Sequence, residues 1–135
     1  MEKLLKSIKI NEGFEPRVYK DTLGIDTIGY GFAIKDLYID EDIAEQILEK
    51  KVNKLLKEVD SRFDWFKFMP DGIKEVVVEM CYQLGVNGFS KFKKTIKLLS
   101  NRNFAKASTE MLDSLWAKQT PNRALKLSNI VKEGK

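Results

Sequence analysis

The sequence predicts an α+β fold that is mostly α-helical, with one small β-hairpin sheet and two lobes joined by a long helix. Short β-prone runs broken by glycine are confined to about residues 17–31, and apolar residues recur at helical spacing elsewhere. With 135 residues, 43% of them hydrophobic, the chain has single-domain size and can bury a core. We expect one domain over residues 1–135, with a sheet-containing lobe at about 12–45. The helical lobe is expected at about 60–135, together with the N-terminal helix.

The first predicted element is a short amphipathic helix over Lys3–Asn11, where apolar residues lie on one helical face. Gly13 and then Pro16 end it, since neither residue favours continuation of a helix. The pattern then changes to that of a hairpin. Its predicted parts are a strand at Val18-Tyr19, a turn at Leu23-Gly24 and a strand over Thr27–Gly31.

The long helix is predicted to begin at Asp40, because an aspartate cap followed by acidic residues satisfies free N–H groups and the positive dipole end. Its apolar stripe continues to about Val59, and such a helix spans about 30 Å. The last helix has a clear start at Thr120-Pro121, with threonine as the cap and proline in the first turn. The remaining helices are predicted at Asp71–Leu84, Ser90–Leu99, Asn103–Asp113 and Pro121–Lys132.

Composition excludes several kinds of chemistry. The chain has no histidine, so nucleophile pairs that use imidazole and the usual zinc hydrolase sites are not available. Its one cysteine, Cys81, lies in an apolar run and is interpreted as a buried structural thiol. Hydrolysis by this chain would therefore use carboxylates, and we expect neither a metal nor an organic cofactor. The net charge of +4 favours an anionic partner without identifying it.

The strongest candidates for such chemistry are Glu12, Asp21 and Thr27. Cleavage of a glycosidic bond needs an acid for the leaving oxygen and a second carboxylate that activates water or attacks the sugar. Glu12, at a helix end, is the candidate for the protonated acid, Asp21 for the ionised carboxylate and Thr27 for the group that holds water. In a protein with 20 acidic residues, two carboxylates nine positions apart are commonly surface charge, and spacing leaves that alternative open.

The segment from Asn11 to Gly31 contains four short motifs in order: Glu12-Gly13 at a predicted helix end, Tyr19-Lys20-Asp21-Thr22, Gly24 and Thr27-Ile28-Gly29-Tyr30-Gly31. In these motifs the segment resembles the T4-type phage lysozymes, glycoside hydrolase family 24. In that family a helix-ending Glu-Gly, a Tyr-Lys-Asp-Thr, a Gly and a Thr-Ile-Gly-x-Gly follow one another. Two further blocks are similar to that family in the correct order: Met80-Cys81-Tyr82-Gln83-Leu84-Gly85 and Trp116-Ala117-Lys118-Gln119-Thr120-Pro121-Asn122-Arg123-Ala124.

This resemblance implies a lysozyme-like fold and an inverting muramidase. Glu12 would be the general acid, Asp21 the carboxylate on the opposite side of the sugar ring, and Thr27 the positioner of water. Arg123 matches the family's arginine that contacts the catalytic glutamate. A simple surface ion pair is the alternative role for Arg123.

The substrate contacts implied by the resemblance are Tyr82, Gln83, Thr95 and Glu110. Two positions depart from the family pattern. Glu110 stands where an amide is usual, and Phe32 stands where T4-type enzymes often have histidine. The connection after Phe32 is also shorter than in T4-type enzymes. A trimmed sheet-containing lobe is therefore expected.

The resemblance implies an endolysin that cleaves the β-1,4 bond between N-acetylmuramic acid and N-acetylglucosamine of bacterial peptidoglycan during cell lysis. A non-hydrolytic cell-wall binding module and a lytic transglycosylase are the alternatives, and a basic nucleic-acid binder ranks last. We expect a monomer with no nucleic-acid partner and no stable membrane insertion. The N-terminus shows no signal-peptide pattern. The expected location is the host cytoplasm, until a pore-forming holin, inferred from the family, admits the protein to the wall.

Overall fold

The computed structural model describes every residue from Met1 to Lys135 and contains seven α-helices and one three-stranded sheet. The strands are β1 (Glu15–Lys20), β2 (Asp26–Gly29) and β3 (Phe32–Ala33). The helices are α1 (Glu2–Glu12), α2 (Glu41–Arg62), α3 (Asp71–Ser90), α4 (Lys93–Ser100), α5 (Phe104–Leu112), α6 (Leu115–Gln119) and α7 (Pro121–Glu133). This composition confirms the predicted α+β class.

The chain forms two compact units, an N-terminal unit over Met1–Ala44 and a C-terminal unit over Glu45–Lys135. The N-terminal unit contains α1 and the whole sheet, and the C-terminal unit contains α3 to α7. The boundary falls in the first turn of α2. The predicted division into lobes stays a prediction.

The sheet is antiparallel, with its strands in chain order. Tyr19 of β1 lies opposite Thr27 of β2, and β2 also pairs with β3, so Thr27 lies on the central strand. The predicted hairpin is confirmed. Strand β3 was not predicted, because two residues are too few to show an alternating pattern. The register shifts between Glu15 and Tyr19, on the stretch that contains Pro16, which has no N–H to donate.

Helix α2 begins as the sequence predicts. The Asp40 carboxylate accepts a hydrogen bond from the N–H of Ile43 at 3.4 Å. A side-chain hydrogen bond with Asp42, and secondarily the bond from Ile43, lower the pKa of Asp40. The helix continues to Arg62, three residues beyond the predicted end at Val59.

Helices α3 and α4 correct a predicted boundary. The backbone of Gly85 has a φ of 77° and a ψ of 158°, so regular α-helix is interrupted directly after the predicted end at Leu84. A further turn then runs to Ser90, which was predicted to begin the next helix. Helix α4 begins at Lys93 instead. Hydrophobic periodicity missed the turn that ends at Ser90 because a single turn is too short to show a period.

Helix α6 was not predicted, since five residues carry less than two turns of periodic pattern. The Ser114 hydroxyl caps it by accepting from the N–H of Ala117 at 3.1 Å. The prediction that the Thr120 side chain caps α7 is wrong. Thr120 occupies the cap position, but its hydroxyl donates to the carbonyl of Trp116 at 2.9 Å and makes no side-chain cap.

The core lies in the C-terminal unit. No helix of the structure has the length and apolar composition needed to cross a membrane. Cys81 is 1% exposed, and burial raises the pKa of its thiol to about 12. Its interpretation as a buried structural thiol is confirmed. The fully buried side chains around it include Val59, Ile73, Val76, Val77, Met80, Phe89, Leu99, Met111 and Val131.

Candidate functional site

Glu12 is the last residue of α1. The helix ends there because Gly13 adopts a φ of 71° and a ψ of 161°, outside the helical region. The Glu12 carboxyl lies against the turn between β2 and β3, since a Cβ atom added to Gly31 would stand 2.9 Å from its Cδ. Gly31 has a φ of 75°, a region that favours glycine. Residue 31 must therefore be glycine both for its backbone and for the room that Glu12 occupies.

Asp21 directly follows β1, at the start of the turn to β2. Its Oδ1 accepts hydrogen bonds from the N–H groups of Leu23 at 2.8 Å and Ile25 at 2.9 Å. The N–H of Asp21 donates in turn to the carbonyl of Ile25 at 3.0 Å. These bonds hold the carboxylate in one orientation and leave its second oxygen, Oδ2, to meet another group.

Thr27 is 3% exposed and lies on the central strand. Its hydroxyl donates to the carbonyl of Ile25 at 2.9 Å. A hydroxyl has one proton and two lone pairs, so the Oγ1 atom of Thr27 is left with acceptor capacity only. A water molecule that met it would donate a proton to this oxygen.

The neighbouring acid Asp26, the first residue of β2, is already paired. Its Oδ1 lies 2.8 Å from Nζ of Lys20, and both side chains are more than half exposed. Side chains alternate between the two faces of a strand, so Lys20 and Asp26 share one face. Tyr19 and Thr27 share the other. The side chains of Asp26 and Thr27 therefore lie on opposite faces of β2. Those of Asp21 and Thr27 are both hydrogen-bonded to Ile25.

The predicted catalytic residues thus lie on the sheet (Thr27), in its first turn (Asp21) and at the end of the helix that precedes it (Glu12). Two of them share a backbone partner, and the third lies against the next turn of the same sheet. Their roles in catalysis stay predictions. No group of three or more cysteine, aspartate or glutamate side chains is arranged so that it could hold a metal ion.

Tyr82 and Arg123 line a concavity of about 560 Å³ in the C-terminal unit. Nε of Arg123 lies 2.9 Å from Oε2 of Glu79, and the two side chains are 36% and 47% exposed. An ion pair with this exposure contributes about 0.2–1 kcal/mol. Glu79 was not among the predicted residues. Its position three residues before Tyr82 puts both on one face of α3, and that spacing is the signal that could have found it.

Gln83 is committed to an internal hydrogen bond. The indole N–H of Trp116 donates to Oε1 of Gln83 at 2.9 Å, and Trp116 is 4% exposed. An indole N–H can only donate, so this bond also fixes which way the Gln83 amide points. The amide nitrogen of Gln83 keeps its two protons for another partner. Trp116 itself belongs to the buried core.

Thr95 and Glu110 line a second concavity of about 640 Å³, also in the C-terminal unit. Thr95 is 2% exposed, so little of its surface is open to a ligand, whereas Glu110 is partly exposed. The structure therefore brings Thr95 and Glu110 together, and Tyr82 and Arg123 together, in two separate concavities. The other lining residues of the second concavity include Leu84, Lys91, Phe92, Lys93, Lys94, Asp113 and Trp116.

Comparison with known proteins identifies relatives along almost the whole chain. The family model described as phage lysozyme matches residues 9–131. Two proteins of Dictyostelium discoideum, named probable T4-type lysozyme 1 and probable T4-type lysozyme 2, are each 28% identical to the chain. Each alignment covers 94% of this chain and 92% of the relative.

A third relative is the pre-baseplate central spike protein Gp5 of Enterobacteria phage T4, which is 24% identical over 97% of this chain and 28% of its own length. The alignment with the first Dictyostelium protein extends over 156 positions, although this chain has 135 residues. The relative therefore contains positions that this chain lacks. Whether these positions fall in the connection after Phe32 is not given by the alignment length, and the shortened connection stays a prediction.

Proposed function

We propose, for a chain that belongs to the phage lysozyme family, that it hydrolyses the β-1,4 bond between N-acetylmuramic acid and N-acetylglucosamine in peptidoglycan. Membership of this family makes it a hydrolase of the lysozyme type. The bond, the stereochemistry and the residue roles are our proposal. The observation that carries it is the arrangement of Asp21, Thr27 and Glu12 around one small sheet.

Glu12 is the general acid in this proposal. It donates its proton to the glycosidic oxygen as the bond from that oxygen to the anomeric carbon breaks. Its carboxyl lies at the end of a helix and takes part in neither ion pair of the structure.

Asp21 and Thr27 serve the attacking water. The water oxygen forms the new bond to the anomeric carbon on the face opposite the leaving group, and Asp21 takes the proton that the water loses. Oδ1 of Asp21 is held by two N–H donors, which leaves Oδ2 for that proton. Thr27 accepts the second water proton as a hydrogen bond. One residue, Ile25, orients both groups, the first through its N–H and the second through its carbonyl.

The proposed substrate contacts all belong to the C-terminal unit. Tyr82 presents a 45% exposed ring on which a sugar could stack. Gln83 retains amide protons, and Glu110 offers a carboxylate on the wall of its concavity. Thr95 is proposed as a contact on the resemblance alone, because it is almost fully buried. Arg123 is proposed to support the acid, although Glu79 is the partner it has in the C-terminal unit.

We also propose that the protein serves bacterial lysis as an endolysin, waiting in the host cytoplasm until a holin gives it access to the wall. The net charge of +4 suits a substrate whose muramyl and peptide groups carry carboxylates. Expression inside bacteria tests this role. Cells that express the wild-type protein should lyse when a pore-forming agent is added. Cells that express the Glu12→Gln variant should stay intact under the same treatment.

The reaction is tested by digesting purified sacculi and analysing the products by mass spectrometry. The proposal expects new reducing ends with one water added for each bond cleaved. Anhydro-muramic ends would identify a lytic transglycosylase instead, and binding without any product would identify a wall-binding module. Glu12→Gln should abolish product release. Glu15→Gln is the matched control, because Glu15 is an exposed glutamate only three residues away.

A further inference from the structure

One aromatic ring contacts the chain on both sides of Glu12. The ring of Tyr30 lies 5.4 Å from the ring of Phe14, at an interplanar angle of 47°. Nζ of Lys9 lies over the same ring, 5.6 Å from its centroid. Lys9 precedes Glu12 by three residues, and Phe14 follows it by two. The last turn of α1 is therefore held against Tyr30 at both ends of the segment that carries the carboxyl.

Tyr30 also lies next to the position that receives this carboxyl. The following residue, Gly31, is the one against which the Glu12 side chain rests. A third ring, that of Phe32, meets Tyr30 edge-on at 6.5 Å. The ring of Tyr30 therefore contacts the sheet through Phe32. It contacts the end of α1 through Lys9 and Phe14.

The position of Lys9 affects the charge near Glu12 as well. Side chains three residues apart on a helix are neighbours, so a lysine and a glutamate at this spacing can form an ion pair. In the structure, the ammonium group of Lys9 lies over Tyr30, and it belongs to neither ion pair. A cation over an aromatic face is attracted to the ring, typically by about 0.5–1 kcal/mol at exposed sites. Tyr30 therefore offers Lys9 a partner other than the carboxyl.

We propose that Tyr30 is a positioning residue for Glu12. It holds the last turn of α1 through Lys9 and Phe14, so that the Glu12 carboxyl meets the turn at Gly31 without an ion-pair partner. The inference rests on the proposed function, in which Glu12 is the general acid. The ring itself touches neither substrate nor reacting atoms in this role.

Two substitutions of Tyr30 separate positioning from simple packing. Tyr30→Phe keeps the ring, and the hydroxyl takes part in neither contact, so this variant should behave as the wild type. Tyr30→Leu keeps apolar bulk and removes the aromatic face. Tyr38→Leu is the matched control, because Tyr38 lies in the same unit, is 83% exposed and makes no aromatic contact.

The measurements are kcat and KM on soluble peptidoglycan strands, with thermal unfolding of every variant. Tyr30→Leu should lower kcat roughly tenfold to a hundredfold with little change in KM, since small errors in the position of a catalytic group have effects of this size. A second readout is the carbon resonance of the Glu12 carboxyl in NMR spectra. It should move in Tyr30→Leu and stay in place in Tyr30→Phe and Tyr38→Leu.

The outcomes separate the two proposals. An inactive wild type would end the proposed function, and the Glu12 resonance would still decide whether Tyr30 positions that side chain. An active wild type with an unchanged kcat in Tyr30→Leu would overturn the inference. So would a loss of activity that follows only the unfolded fraction, or an unchanged Glu12 resonance in Tyr30→Leu.

Discussion

The carboxylate of Asp21 and the hydroxyl of Thr27 are hydrogen-bonded to the same residue, Ile25. Oδ1 of Asp21 accepts from its N–H at 2.9 Å, and Oγ1 of Thr27 donates to its carbonyl at 2.9 Å. Two side chains six positions apart are therefore oriented by one peptide segment. A small displacement of that segment would move both groups together.

Substitution of Asp21 by asparagine should separate charge from geometry. The amide oxygen can still accept the two N–H bonds that Oδ1 accepts, so the turn is expected to keep its shape. Loss of the negative charge should lower kcat roughly 10²–10⁴-fold, as for removal of a general base. Release of reducing ends from sacculi measures this effect.

Asp26→Asn is the control for that experiment. It makes the same chemical change in the same turn, but it removes only an exposed ion pair with Lys20. Activity should be unchanged, and the free energy of unfolding should fall by no more than about 1 kcal/mol. Equal activity of the two variants would exclude a special role for Asp21.

Thr27→Val and Thr27→Ser should have similar stability and different activity. Valine keeps the shape of threonine and loses the bond to Ile25, at a cost of about 1 kcal/mol. Serine keeps the hydroxyl and leaves a methyl-sized gap, at a similar cost of about 1 kcal/mol. If Thr27 positions water, only the valine variant loses activity, by roughly tenfold or more. Urea unfolding and initial rates of wall digestion provide the two measurements.

Gly31→Ala should be worse for activity than for stability. A β-carbon at this φ of 75° costs about 1–2 kcal/mol. The same atom would also press on the Glu12 carboxyl and displace it. Gly85→Ala is the matched control, since Gly85 has a φ of 77° and open space around the added atom. Thermal unfolding should show comparable losses for both variants, whereas kcat should fall clearly only for Gly31→Ala.

The hydrogen bond between Trp116 and Gln83 should stabilise the C-terminal unit. Gln83→Met keeps similar length and leaves the buried indole N–H without its partner. An unsatisfied buried donor costs about 1–3 kcal/mol. Urea unfolding should detect this loss, and Trp116→Phe combined with Gln83→Met should lose less than the sum of the single variants. Strict additivity would contradict a direct coupling.

Cys81 predicts a dependence of stability on alkaline pH. Its thiol has a pKa near 12 in the folded protein, raised by burial from an ordinary value of 9.0. Above pH 9 the unfolded chain ionises this thiol and the folded chain does not, so the unfolded state is favoured increasingly until about pH 12. Relative to Cys81→Ala, the wild type should lose up to about 1.4 kcal/mol of unfolding free energy per pH unit. Parallel unfolding curves at pH 8 and pH 10 measure the difference, and an unchanged difference would contradict it.

The local pattern of the chain predicts most of its helices and the hairpin, because these depend on neighbours in sequence. Asp40 caps α2, which begins at Glu41, through a hydrogen bond across three residues. The ends of α5 and α7 lie within one residue of their predicted positions. The errors lie where the pattern is short. Helix α6, strand β3 and the helical turn between Gly85 and Ser90 have too few residues to show a period.

For the candidate site too, some features depend on the sequence alone and others on the tertiary structure. The sequence by itself determined which residue types are present: no histidine, one buried cysteine, and carboxylates with a threonine in a glycine-rich hairpin. Only the tertiary structure decided that Asp21 and not Asp26 meets Thr27 at Ile25, and that Gly31 makes room for Glu12 beside Tyr30. Likewise, only the tertiary structure shows that Gln83 is hydrogen-bonded to Trp116 and Arg123 to Glu79. The reason is physical: composition and period act along the chain, whereas hydrogen bonds and ring contacts depend on register and distance between its parts.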